Sequence, residues 1–159
     1  MIAYETTELG PVIGSQIQNF ALPDHNNERQ SILDLVGGTG ILLGFIGDIW
    51  QPTSVRRILW LQRHLHKFAL MGTPIALLVH DEPHTLYGFH SSSPLPVPFP
   101  LLADRDGSVH RSHAMDRHPG LLLLDHHLIV REKWLVPDDR VWPKINELMG
   151  AIESLQANV

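Results

Sequence analysis

The chain has 159 residues, a formal net charge of -5, 43% hydrophobic residues, 11 histidines and no cysteine. Without a sulfhydryl there can be no disulfide, no iron–sulfur ligation and no thiolate nucleophile. The acidic balance without a basic patch argues against a nucleic-acid partner, and no apolar run approaches the roughly 18 residues of a membrane span.

Met1 to Gly10 has neither the basic start nor the apolar run of a secretory leader, so the expected location is the cytoplasm. Met1 to Ser15 reads as an extended lead-in. Ile17, Phe20 and Leu22 then dock on the main body before the turn Pro23-Asp24-His25-Asn26-Asn27, where Pro and Asx residues preset the geometry. Gln30 to Leu35 reads as a short helical turn, broken by Gly37-Gly38-Thr39-Gly40.

Ile41 to Ile46 is an apolar run that predicts a buried strand. A polar turn at Gly47 and Asp48 follows, then Trp50-Gln51-Pro52-Thr53-Ser54. Proline suits the first turn of a helix because its missing N–H would go unpaired there anyway. A helix is therefore predicted from Pro52 to about Met71, with Gly72 as its stop. Val55, Ile58, Leu59, Leu61, Leu65, Phe68 and Ala69 form its apolar side, and Arg56, Arg57, Arg63, His64 and Lys67 cover the other. Ile75 to Val79 is a second fully apolar strand. Two such strands joined by a long helix imply a parallel pair buried on both faces.

Asp81-Glu82-Pro83 opens another helix ending near Phe89, and Ser91 to Pro100 reads as a proline-rich loop. A short helix is expected over Ser108 to Met115. Leu121 to Asp125 and Ile129 to Leu135, joined by His126-His127, predict a β-hairpin. Asp138-Asp139 caps a last helix, roughly Val141 to Leu155, with Trp142, Ile145, Leu148, Met149 and Ile152 inward.

Several of these segments resemble the redoxins of the AhpC/TSA family. Phe45, four residues, then Trp50-Gln51-Pro52-Thr53-Ser54 is similar to the family's strand-ending Phe followed by Trp-Cys-Pro-x-Cys. Asn19-Phe20-Ala21-Leu22-Pro23-Asp24 with Ser31-Ile32-Leu33-Asp34-Leu35 matches the family's preface, and Phe99-Pro100-Leu101-Leu102-Ala103-Asp104 matches its later "FPLLSD" pattern. The resemblance runs from about Ile17 to Leu155. It implies one domain over residues 1–159 with a core at about 17–155. The implied fold is thioredoxin-like and peroxiredoxin-like, a three-layer α/β/α sandwich around a mixed central sheet. It also implies that Gln51 and Ser54 stand where the family has its cysteines, and that Pro119 is the family's cis-proline.

Gln51 is no nucleophile, and the Ser54 hydroxyl is too weakly acidic to act without an adjacent base. Peroxide reduction through a sulfenic acid is therefore closed to this chain. Two roles remain open for the segment. Gln51, Thr53 and Ser54 can simply cap the helix. Alternatively, Asp48, Trp50, Gln51, Thr53, Ser54, His80, Asp81 and His118 gather at the carboxyl ends of the strands, where open α/β sheets bind ligands. The expected function is then a non-catalytic domain binding a small ligand or a protein through the former active-site edge, alone or as a homodimer. No cofactor is implied. The alternative is an enzyme of non-thiol chemistry at the same edge, using Ser54, His118 and Asp81 or Asp48. A third reading is a metal protein, with His110, His113 and His118 as ligands, although histidines without fixed spacing are ordinarily solvated and no HExxH pattern occurs.

Overall fold

The structure, a computed structural model of the chain, describes residues 10–93, 97–116, 119–135 and 144–157. Two short strands, β1 (Ala21–Pro23) and β2 (Arg29–Ser31), pair as an antiparallel hairpin. Asp24 sets its turn: Oδ1 accepts the backbone N–H of Asn26 and of Glu28, each at 2.9 Å. The one-turn helix α1 (Ile32–Leu35) is capped by the Ser31 hydroxyl, which accepts from the Asp34 N–H. The helical turn expected from Gln30 therefore begins later, because Gln30 and Ser31 pair with Leu22 and Ala21 across the hairpin.

The remaining elements are β3 (Gly40–Gly47), α2 (Pro52–Leu70), β4 (Ile75–Val79), α3 (Pro83–Ser92), β5 (Leu101–Ala103), α4 (Ser108–Ser112), β6 (Gly120–Asp125), β7 (Val130–Leu135) and α5 (Ile145–Ala157). Five strands make one sheet in the order β5-β4-β3-β6-β7. β3, β4 and β5 run parallel, while β6 is antiparallel to both β3 and β7, so the sheet is mixed. β5 was not expected within the FPLLAD stretch. Its three residues are too few to show periodicity, and pairing with β4 makes the strand. Helix α3 also takes in Ser91 and Ser92, whose hydroxyls bond back to the carbonyls of Tyr87 and Gly88. The expected helix start near Val141, the caps Asp138 and Asp139, and Trp142 lie outside the described residues.

Alternation along each strand divides the apolar side chains between two cores. Leu42, Leu77, Leu101, Leu121 and Leu123 pack on one face with Ile58, Leu61 and Phe68 of α2, Leu86 of α3, and Leu148 and Ile152 of α5. Ile41, Leu43, Phe45, Leu78, Leu102, Leu122 and Leu124 pack on the other, with Ile17 of the lead-in and Ile32 of α1, and with Val109 of α4 against their margin. The result is the thioredoxin-like three-layer α/β arrangement. One assignment on α2 is corrected: Arg57 is buried rather than part of the solvated side, which leaves Arg56 and Arg63 as the exposed arginines of that helix. Among the described residues no helix is long and apolar enough to cross a membrane.

Candidate functional site

β3, β4 and β5 end at one edge of the sheet, at Gly47, Val79 and Ala103. The antiparallel β6 starts there too, since Gly120 pairs with Phe45, and this brings Pro119 to the same edge. The His118–Pro119 peptide bond, and His118 itself, lie outside the described residues.

Between β3 and α2 the chain makes a tight protruding turn. Ile49 is fully buried and anchors it, while Trp50 is 65% exposed at its tip. Asp48 spends its Oδ1 on the Trp50 N–H at 2.9 Å, a local Asx turn. Gln51 is the N-cap residue of α2 but makes no side-chain cap bond, and Pro52 stands in the first turn. The Ser54 N–H donates to the Gln51 carbonyl at 3.0 Å, and Ser54 is 2% exposed. Thr53 is half-buried. The helix therefore begins on proline and backbone geometry, without the Gln51 side chain.

His80 and Asp81 leave β4 beside this turn. The His80 N–H donates to the Gly47 carbonyl at 2.8 Å, and Asp81 Oδ1 accepts from the Glu82 N–H at 2.8 Å. The exposed His80 ring lies over Gly107, where an added Cβ would meet His80 Cε1 at 2.9 Å on a backbone with φ of +74°. Asp48, Trp50, Gln51, Thr53, Ser54, His80 and Asp81 thus all belong to one strand-end edge. Both carboxylates are committed to turning the chain.

The strongest polar contact at this edge is one the sequence did not flag. Asp104, just after β5, is buried against His110 of α4, and both are almost fully enclosed. Asp104 Oδ2 accepts from the His110 ring Nδ1 at 2.7 Å and from the His110 backbone N–H at 2.8 Å, while Oδ1 accepts the Val109 N–H at 3.2 Å. The Gly47 N–H donates to His110 Nε2 at 3.2 Å. A ring nitrogen that accepts a hydrogen bond carries no proton, so the His110 proton is on Nδ1 and is donated to Asp104. Burial works against the Asp104 charge, but the bonds from His110 and Val109 outweigh it and hold the carboxyl below its ordinary range. Asp104 is in effect the cap of α4, placed six residues ahead of His110. The available signal was the Asp-x-x-Gly turn at Asp104 and Gly107 directly before a helix.

These contacts also bear on metal binding. Both His110 nitrogens are engaged, and His113 Nδ1 lies 2.8 Å from the Val109 carbonyl. Among the described residues no group of three or more His, Asp or Glu side chains is placed to hold a metal ion.

His25, His64 and His113 are all held below the ordinary value of 6.5, in each case chiefly by burial. The unfolded chain then binds protons more readily than the folded one. Their contribution to stability is complete above 6.5 and is lost as pH falls through the lowered folded values. Urea unfolding should show a lower midpoint at about pH 5.5 than at about pH 7.5. An unchanged or higher midpoint in acid would mean that these rings are not desolvated as described.

The family model of AhpC/TSA matches residues 13–140. No curated protein gives a significant match. Among solved structures, peroxidoxin BcpB from Mycobacterium tuberculosis is similar, with a TM-score of 0.76 at 16% identity over 94% of this chain and 98% of that one. Mycobacterium tuberculosis AhpC reaches 0.81 at 12% identity, covering 95% and 96%. The yeast mitochondrial 1-Cys peroxiredoxin also reaches 0.81, at 14% identity, covering 93% and 78%. At these identities the likeness is one of fold. With the family model spanning most of its length and peroxiredoxin architecture throughout, the chain belongs to the AhpC/TSA family, as a member without any cysteine.

Proposed function

We propose that this chain is a non-catalytic binding domain that presents the former active-site edge, with Trp50 at its tip, to another protein. The exposure of Trp50 carries the reading. A large aromatic held out on a turn pinned by buried Ile49 and by the Asp48 bond is already ordered before contact, so little conformational freedom is lost on binding. Tryptophan is also the side chain most often found at the energetic centre of protein contacts. A protein suits the edge better than a small molecule because the Trp50 ring stands largely in solvent. The clefts around residues 10–20, 25–27, 69–75 and 131–134 take no lining residue from residues 48–54.

Site-specific photo-cross-linking in cells tests this. Trp50→p-benzoylphenylalanine is compared with the same replacement at Leu70, which is 86% exposed at the far end of α2. The expected result is a discrete adduct from position 50 and none from position 70. An adduct at twice the 17.9 kDa chain mass would identify the partner as a second copy. Equal labelling at both positions would remove the proposal. In a separate assay with hydrogen peroxide and a dithiol reductant, the protein should give no turnover above the uncatalysed rate. Sustained turnover would refute the argument from the missing thiolate.

A further inference from the structure

A cleft of about 350 Å³ opens between the β1–β2 turn and the first turns of α3, and it shares no lining residue with the Trp50 turn. We propose that it binds a small oxyanion, carboxylate or phosphate, carried on a flat unsaturated ring. This inference does not rest on the binding role assigned to Trp50.

The chemistry of the walls supports it. Arg105, His25 and His84 line the cleft together with the Asn26 and Asn27 carboxamides and the Tyr87 ring, and among the described residues no aspartate or glutamate does. Arg105 is the cationic side chain of this lining, and the carboxamides and imidazoles beside it supply further N–H donors. Glu82 takes the Nε of Arg105 at 3.2 Å, but this ion pair is exposed on both sides and therefore weak. The two terminal guanidinium nitrogens are the pair that matches an oxyanion fork to fork. Tyr87 is 54% exposed and offers a flat apolar surface for a ring.

The walls are also held from behind, as a binding site requires. Asp24 is buried and is not part of the lining. Its carboxylate already accepts from Asn26, Glu28 and the Gln30 amide, the last at 3.1 Å. The His25 ring stacks on His90 of α3 with centroids 4.2 Å apart, and His90 Nε2 lies 3.2 Å from the Val97 carbonyl. Turn and helix are thereby joined at the back of the cleft, and its mouth stays open. His25 Nδ1 is shut away from water with no hydrogen-bond partner.

The test is titration of the full chain with benzoate and phenyl phosphate, followed by the imidazole and phenol ring resonances in NMR. Acetate, inorganic phosphate and benzyl alcohol serve as partial probes. We expect saturable shifts at His25, His84 and Tyr87 with the two ring-bearing anions and weaker binding of acetate and phosphate. Benzyl alcohol should not bind. Whichever of benzoate and phenyl phosphate binds more tightly identifies the headgroup. Arg105→Gln should weaken binding by roughly tenfold or more, as expected for loss of a charged hydrogen bond. Tyr87→Ala should abolish the advantage of the ring-bearing probes over acetate and phosphate. Both side chains are exposed, so the fold is expected to survive, and a retained circular dichroism spectrum checks this. Shifts that never saturate, or that neither variant alters, would show only diffuse ion association and overturn the proposal.

Discussion

Asp104→Ala is expected to remove about 3 kcal/mol or more of folding stability, because a buried carboxylate that accepts several hydrogen bonds is taken away. The carboxylate accepts three hydrogen bonds, two from the backbone of α4 and one from the His110 ring. Alanine leaves the two His110 donors enclosed and the Val109 N–H partly so, and each buried donor without a partner costs about 1–3 kcal/mol. The damage should also reach the Trp50 turn. His110 Nε2 receives the Gly47 N–H only while its proton is fixed on Nδ1 by Asp104. Without that constraint the ring can turn or change tautomer, and the end of β3 loses its tie to α4. Urea unfolding measures the first effect, and acrylamide quenching of tryptophan fluorescence reports on the second. Asp106→Ala is the comparison. Asp106 is exposed and accepts the Ser108 N–H at 3.0 Å, where water can replace it, so the loss should be clearly smaller. Equal losses in the two variants would show that the Asp104–His110 contact adds nothing beyond capping.

Gly40→Ala is expected to cost about 3 kcal/mol or more, at the upper end of what overpacking does. An added Cβ at Gly40 would stand 2.0 Å from the Leu124 carbonyl oxygen and 3.0 Å from its carbon. Those atoms are backbone of β6, paired in register with β3, and cannot swing aside. The residue two positions earlier gives the control. Nothing lies within 4 Å of a Cβ built at Gly38, so Gly38→Ala should be neutral, or stabilising by about 0.4–1 kcal/mol through the unfolded chain. Thermal unfolding of the two variants side by side decides it. Similar midpoints would mean that β3 and β6 are not as close as described.

Much of this architecture was readable from residue order. Ile41 to Ile46 and Ile75 to Val79 declare themselves as buried strands because both their faces are covered, so apolar residues run without interruption. Pro52 and Gly72 bracket the long helix for reasons of backbone chemistry alone. β5 was not readable, because its three residues are a strand only by virtue of β4 beside them. Arg57 was misplaced because helical periodicity assigns a side by average character, and one arginine among five polar residues carried no mark of being the enclosed one. At the candidate edge, spacing identified the turn and its residues but not their commitments. That Asp48 and Asp81 bind neighbouring N–H groups depends on φ and ψ in two loops. That Asp104 meets His110 depends on how α4 folds back over the end of β5. The histidines were the least legible, since imidazoles stack, cap and bridge without a fixed spacing. His25 and His90, which stack on each other, are far apart in the chain.

The four consecutive leucines of β6 have an unusual implication. Leu121 and Leu123 fill one core and Leu122 and Leu124 the other, so sliding this strand by one position would still leave leucine at most sites on both faces. Hydrophobic content is thus nearly blind to the slip, and the correct alignment must be enforced at the strand ends. Asp125, which gathers the His127 and Ile129 N–H groups and the Arg131 guanidinium, locks one end. Gly120, wedged where a methyl would strike Met115, locks the other. The register of β6 therefore rests on its two ends and not on its leucines, so damage to both ends, and not to one leucine, is what would free the strand to shift.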